Sequence, residues 1–401
     1  MLPRNSQPRS LSSSVKILII ILAIILGLAG CGRRPQQGFP GGAAPAVVEI
    51  WHSLPGAEAD ALKIQVARIM DAHPEVIIKL EYIPEEKLPG TTFQAQAGGE
   101  GPDIFISTRE VLHKLYSQGA LAPVLATGSD AFPAVAAGFK FGDKLYAQPW
   151  LTDVPLFFYR ADMVQPPAGL TDIINSKGVL VLPALNTALI GTWWNGQGGK
   201  ILSGGKPALD DPGNLIFLQQ LLNWRDAKQL QVNPDALTLF TGGLNPYMIG
   251  WASQSKVLNQ MGVAWGSVPL SKFLAGQGQA FIGTTWGMAN SSIKSTEQLS
   301  PAIRIVEETL ISPEVEGALS QVGSLAPASA SFYRRPEAQQ GIWPQVNKVL
   351  ADAWAIQGNS PEWKLIPLQD AAWRTVILGN TSPQDALNKA QSEALKVLGI
   401  Q

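Results

Sequence analysis

Cysteine is almost missing from this sequence: Cys31 is its one instance among 401 residues. No disulfide can form within such a chain, so an oxidising compartment would leave no mark on it. Histidine is nearly as scarce. His52, His73 and His113 show no metal-ligand spacing, and neither a metal nor a cofactor is expected. No Ser/His/Asp order, Walker-type loop or zincin helix is present, which argues against an enzyme. The glycines of Gly98-Gly99-Glu100-Gly101 lack the Lys-Ser/Thr that a phosphate cradle needs. A basic excess is missing too, with 30 Lys and Arg against 31 Asp and Glu. Phosphate backbones demand basic surface, so nucleic acid is excluded as a partner. After Leu28 no apolar run is long enough to span a bilayer.

What the sequence does have begins at its start. Arg4, Arg9 and Lys16 precede the apolar run ILIIILAIILGL at 17–28, and Leu28-Ala29-Gly30-Cys31 follows it. Basic region, apolar region and small residues in that order make an exported leader. The last four residues resemble the lipobox of bacterial lipoproteins, in which the cysteine is acylated and becomes the first residue. Residues 1–30 are therefore expected to be a signal peptide and Cys31 the lipidation site. Loss of the leader leaves 27 basic against 31 acidic residues, a mildly acidic body. Segment 31–46, with its GRRPQQGFPGGAAPA, is a Gly/Pro-rich tether.

The remainder suits two domains, and its 46% hydrophobic content supplies real cores. Alternation and helical spacing predict strands at 47–51, 76–82 and 104–106, separated by helices at 57–73 and before Gly98. A helix over 109–118 ends at Gly119. Further strands are expected at 155–159, 179–182, 248–251 and 280–284, and a hairpin at 141–146 around Gly142-Asp143. Asp211-Pro212, Ser312-Pro313 and Ser382-Pro383 read as helix starts, each a cap residue followed by proline at the first helical position. Strand and helix in alternation imply α/β layers with mostly parallel sheets.

Several segments in order resemble bacterial extracellular solute-binding proteins of the sugar-binding type, similar to maltose-binding protein. Val48-Glu49-Ile50-Trp51-His52-Ser53 is similar to their first strand and loop. Gly101-Pro102-Asp103-Ile104-Phe105 resembles the start of the third strand. Lys144-Leu145-Tyr146-Ala147-Gln148-Pro149 with Pro155-Leu156-Phe157-Phe158-Tyr159-Arg160 resembles the first crossing. Tyr247-Met248-Ile249-Gly250-Trp251 resembles the second, and Leu378-Gly379-Asn380-Thr381-Ser382-Pro383 the opening of the last helix. The resemblance implies a two-lobed periplasmic-binding-protein fold (type II-like), its lobes joined by crossing hinge strands. The expected division is lobe 1 over 47–153, lobe 2 over 154–248, lobe 1 again over 249–325, and a C-terminal helical part of lobe 2 over 326–401.

Ligand loops in open α/β sheets lie beyond the carboxyl ends of the strands. That rule selects Trp51, His52 and Ser53 after the first strand, and Ser107, Thr108 and Arg109 after the third. Asp103, just before its strand, is read as a turn or cap residue. The resemblance adds Asp153, at a position where the family carries an acidic sugar contact, and Trp251, where it places an aromatic against a sugar ring. Trp150 lies beside the hinge, Trp193 opens a helix, and Asn186 follows a strand. Trp363 and Trp373 lie where the family adds another aromatic. The surplus of 12 Trp over 6 Tyr fits either a large core or a site that stacks flat faces.

The expected function is that of a lipid-anchored receptor for an ABC importer. It would capture a sugar or related polyol, close, and dock as a monomer on permease subunits, touching the membrane through its lipid alone. It would sit in the periplasm or on the outer face of the cytoplasmic membrane, with the outer membrane also open. An anionic or other non-sugar solute on the same fold, with Arg109 as partner, is the alternative, as is a non-transporting sensor or envelope lipoprotein.

Overall fold

The first strand, β1 (Ala46–His52), has the sequence AVVEIWH, and its burial deepens from an exposed start to a closed carboxyl end. The computed structural model describes residues 44–124, 130–176, 178–274, 278–293 and 300–400. The expected leader and Cys31 lie outside them. Helix α1 (Gly56–Ala72) follows β1 and buries Leu62, Val66 and Ile69 at helical spacing against the sheet. Pro74 then bars further helix, and β2 (Val76–Tyr82) returns parallel to β1. On the other side β3 (Ile104–Thr108) also pairs parallel with β1. Asp103 accepts the Glu49 amide at 2.8 Å, the capping role expected of it.

The chain then turns through a hairpin at 140–145 and enters β4 (Gln148–Thr152). Only Asp153 and Val154 separate β4 from β5 (Pro155–Arg160), and in that step the chain passes into a second sheet. There β6 (Leu180–Leu182), β7 (Leu230–Val232), β8 (Tyr247–Trp251) and β9 (Trp265–Val268) follow. β10 (Thr285–Asn290) and β11 (Ala326–Pro327) return to the first sheet. The first sheet has the order β11-β4-β10-β3-β1-β2 and the second β7-β6-β8-β5-β9. Both are mixed. β1, β2 and β3 run parallel, as do β7, β6 and β8, whereas the strands next to the crossings pair antiparallel.

Three sequence expectations shift here. The strand placed at 280–284 is instead β10. Residues 281–284 cross between the sheets, with Gly283 N donating to Asp153 O at 2.9 Å and Asp153 N to Thr284 O at 3.2 Å. β9, inside the 249–325 segment assigned to lobe 1, pairs with β5 in the second sheet, because the chain turns back after Trp251 through a short helix. β11, placed with lobe 2, pairs with Leu151 and Thr152 of β4 in the first.

Each sheet is covered on both faces. Two clusters line the first, one around Ile50, Ile106 and Met288 and one around Phe105, Leu112 and Phe139. Helices α3 (Thr187–Gly196), α4 (Pro212–Asp226), α5 (Glu362–Ile377) and α6 (Pro383–Val397) pack on the second. Asp211 and Ser382 cap α4 and α6 by accepting the Gly213 and Asp385 amides. Much of the tryptophan surplus is spent here: Trp193, Trp194, Trp224 and Trp373 pack around Phe217 or one another. Residues from Ala46 onward form one compact unit. Among the described residues no helix is long and apolar enough to cross a membrane.

Candidate functional site: a cleft divided by Trp251

Trp251 ends β8 at the crossing between sheets, and its half-buried indole walls two adjoining chambers. The first, about 310 Å³, is bounded by Arg109 and Glu110 at the start of α2 (Arg109–Ser117), by Asn186 before α3, by crossing residues 281–285, and by Trp354 and Trp363. The second, about 450 Å³, lies between Pro55 and Glu58 of the first lobe, Asp153 and Thr284 of the crossings, and Ser253 and Gln254 of the second lobe. Trp286 closes its floor.

Local structure fixes these side chains. Asn186 caps α3, its Oδ1 accepting the Leu189 amide at 2.9 Å. Asp370 of α5 holds the same helix end, accepting from Thr187 N at 2.7 Å and Thr187 Oγ1 at 2.6 Å. Burial raises the Asp370 carboxyl above its usual range, and the Thr187 bonds oppose that shift. Trp354 stacks on Trp194 with ring planes 8° apart, and its amide donates to Ala280 O at 2.8 Å. The Trp363 indole donates to Gln357 O at 2.7 Å, while the Arg109 guanidinium lies 3.5 Å over its ring. Arg109 also bonds Glu110. Burial lowers the Arg109 pKa, and Glu110 works against that.

Asp153 serves the hinge. Its Oδ1 accepts the Val154 amide at 2.9 Å and the Ser253 amide at 3.2 Å, tying the first crossing to the turn after β8. Burial pushes its carboxyl up to about 7, against the pull of those bonds. It is 7% exposed, and what remains open faces the second chamber.

Of the residues expected in the site, Arg109, Asp153, Asn186, Trp251 and Trp363 are brought together. The others are corrected. Trp51 points into the core, edge-on to Phe105 with its indole bonded to Glu49, because alternation turns it away from the cleft. His52 is closed under Tyr82, and burial, with Lys63 nearby, lowers it to about 4. Ser53 and Ser107 bond each other at 2.6 Å, and Thr108 bonds Glu85. Ser53, Ser107 and Thr108 are thus satisfied locally, His52 Nδ1 is buried without a hydrogen-bond partner, and none of the four walls either chamber. Trp150 is fully buried and donates to Leu310 O at 2.7 Å. Trp193 and Trp373 belong to the α3–α4–α5 core. Sequence reasoning missed Trp354, Phe281, Thr284, Thr285 and the acids Glu58 and Glu110. A tryptophan in the unpatterned stretch after Asp352 was the available signal for Trp354.

Flat aromatic faces with a few fixed hydroxyl and amide partners suit noncovalent capture of a small molecule. Among the described residues no group of His, Cys, Asp and Glu is arranged to hold a metal. The cyclo/maltodextrin-binding protein complexed with maltotetraose is similar in fold, with a TM-score of 0.75 at 16% identity over 90% of this chain and 99% of that one. The GacH receptor of Streptomyces glaucescens, crystallised unliganded and with acarbose and an acarbose homolog, gives 0.73 at 19% over 89% and 99%. The maltose/maltodextrin-binding domain MalE of Bdellovibrio bacteriovorus, bound to maltotriose, gives 0.66 at 17% over 88% and 100%. These likenesses carry the two-lobed fold. No curated protein matches the sequence. The model of one family, the bacterial extracellular solute-binding proteins, matches residues 65–344. The chain belongs to that family, whose members bind solutes and do not transform them.

Proposed function

We propose that this protein is the lipid-anchored receptor of an ABC importer and captures a sugar or related polyol between its lobes. One observation carries the reading: a half-buried indole, Trp251, stands between two chambers whose walls alternate aromatic faces with hydroxyl and amide groups. A sugar ring offers an apolar C–H face to an indole and hydroxyls at its edge, so both kinds of wall are used. Phe281, Trp354 and Trp363 supply further faces, and Asn186, Thr284 and Thr285 supply hydrogen-bond partners.

The chamber charges weigh against an anionic solute. Arg109, the cation in the first chamber's wall, is engaged by Glu110 and by the Trp363 ring. The second chamber presents Glu58 and Asp153. A phosphate or carboxylate would have to displace Glu110 in the first chamber, or lie in the second beside Glu58 and the Asp153 carboxyl, which burial pushes up to about 7. Closure follows the usual logic of hinge proteins, with the ligand shifting an open–closed equilibrium. The anchor would be Cys31, and delivery would be to a permease in the inner membrane.

Isothermal calorimetry against linear and cyclic saccharides, polyols and phosphate esters tests this. Maltotriose heads the series because the proteins of similar fold hold maltodextrins. Heat from one saccharide or polyol class, and none from phosphate esters, is the expected result. Binding of phosphate esters alone, lost on Arg109→Ala, would overturn it.

A further inference from the structure

The connection between the helix Trp343–Ala351 and α5, residues 352–361, runs from one lobe to the other and back. It leaves the second lobe at Trp354, whose amide is bonded to Ala280 O and whose ring rests on Trp194 and Phe281. Ile356 packs into the second lobe's core. Four residues beyond Trp354, the Gly358 amide donates to both Ala137 O and Lys140 O at 3.0 Å each. Those carbonyls belong to the first lobe, in the segment whose Phe141 stacks on Tyr116 of α2 at 4.6 Å. The approach is so close that a Cβ on Gly358 would lie 2.3 Å from the Phe141 ring and 2.5 Å from Gly138 O. The chain then turns back into α5, where Trp363 lies under Arg109. Backbone bonds, a glycine-sized seat and a cation over a ring thus join the lobes at one place. Trp354, Ile356, Trp363 and Arg109 all wall the first chamber there. Lys256, the chain neighbour of Val257 in the second chamber's wall, donates to Gly323 O at 2.9 Å and to Val322 O.

We propose that 352–361 is a strap that shuts the first-chamber end of the cleft by seating Gly358 on the first lobe, so the solute is gripped by one terminus and its chain extends only past Trp251 into the second chamber. The specificity it gives is for a chain end: a unit that fits the aromatic chamber is accepted, and anything attached beyond it meets the strap. Substituents on the far side meet the larger chamber, bounded by polar and acidic side chains. This rests on the polyol reading for the nature of the solute. The strap itself does not depend on that reading.

The two parts are tested separately. The first arm uses ligand-free protein and follows amide hydrogen exchange in peptides spanning 352–361. Wild type is expected to be protected there. Gly358→Ala, which cannot seat, is expected to exchange roughly tenfold faster or more, the effect of losing two backbone hydrogen bonds. Arg109→Ala keeps the glycine seat and is expected to show a smaller acceleration. Equal exchange in all three proteins overturns the strap. The second arm measures calorimetric binding of maltotriose, of maltotriose with a 4-nitrophenyl group at the reducing end, and of maltotriose with an ethylidene group at the non-reducing end. One blocked form is expected to lose affinity at least about tenfold in wild type and to recover it in Gly358→Ala. Equal binding of all three sugars overturns the one-ended grip and leaves the polyol reading standing. No heat from any saccharide or polyol overturns the polyol reading and the grip together, and the exchange arm still decides the strap.

Discussion

Replacing Asp153 with asparagine separates the charge of the hinge from its hydrogen bonds. The asparagine carbonyl can still accept from Val154 N and Ser253 N, the two amides that Asp153 Oδ1 now holds. Only the ionisation is lost. Burial pushes the Asp153 carboxyl from 3.8 up to about 7, so the folded chain keeps a proton that the unfolded chain gives up between those values. In that window the native state binds more protons, and stability falls as pH rises. The cost is absent below the unfolded pKa and complete above the folded one. At about 1.4 kcal/mol for each unit, it reaches about 4 kcal/mol above pH 7. Urea denaturation of wild type and Asp153→Asn at pH 5 and pH 8 measures it. The variant should gain on wild type by about 3 kcal/mol more at pH 8 than at pH 5, a comparison that cancels other titrating groups such as Glu307. A stability difference that stays flat between the two pH values would refute the reasoning, because it would mean that the folded protein ionises Asp153 as readily as the unfolded chain.

Three further outcomes separate the site from its scaffold. Trp251→Ala should weaken saccharide binding by about 30-fold or more, the cost of removing a central aromatic anchor of about 2 kcal/mol, with a small change in melting temperature; Trp373→Ala should do the reverse, lowering stability by about 3–5 kcal/mol for a buried indole while leaving a folded fraction with near-normal affinity. Lys256→Ala removes the ammonium that reaches Gly323 O and Val322 O from the second lobe. It should shift ligand-free protein towards a larger radius of gyration in small-angle scattering and weaken affinity a few-fold, and an unchanged radius would count against a bridging role. Cys31→Ala should move the protein from the membrane to the soluble fraction without changing its affinity for solute, and a fall in affinity would show that tether and binding body are not independent.

The fold was largely legible because its signals are local. Apolar runs, alternating in β2 and continuous in β3, gave β1, β2, β3 and β5, and Ser-Pro and Asp-Pro pairs gave three helix starts to the residue. What failed was long-range. The 280–284 run is apolar like a strand, but its partners are Asp153 and Trp251, about 130 and about thirty residues away, and the neighbouring β10 takes the place between β3 and β4. The same limit governs the tryptophans. Trp150 and Trp251 each lie beside a crossing, yet one is fully buried with its N–H given to Leu310 O and the other stands between two chambers. Nothing in their neighbours along the chain distinguishes them, since a side chain's face is set by strands that pair from elsewhere. The carboxyl-end rule erred for a related reason. It marks where parallel strands leave a crevice, but here the cleft opens over the crossing segments, and the ends of β1 and β3 are filled by the Ser53–Ser107 bond and the His52–Tyr82 contact. Arg109 and Asn186 line the first chamber, one at the start of α2 and the other as the cap of α3. Trp354 was invisible for the opposite reason: it sits in a stretch with no period at all, held in place by Ala280 and by a glycine whose need to be glycine is dictated by Phe141, far away in the sequence. Residues that join two lobes are, by their nature, those whose partners the local sequence cannot name.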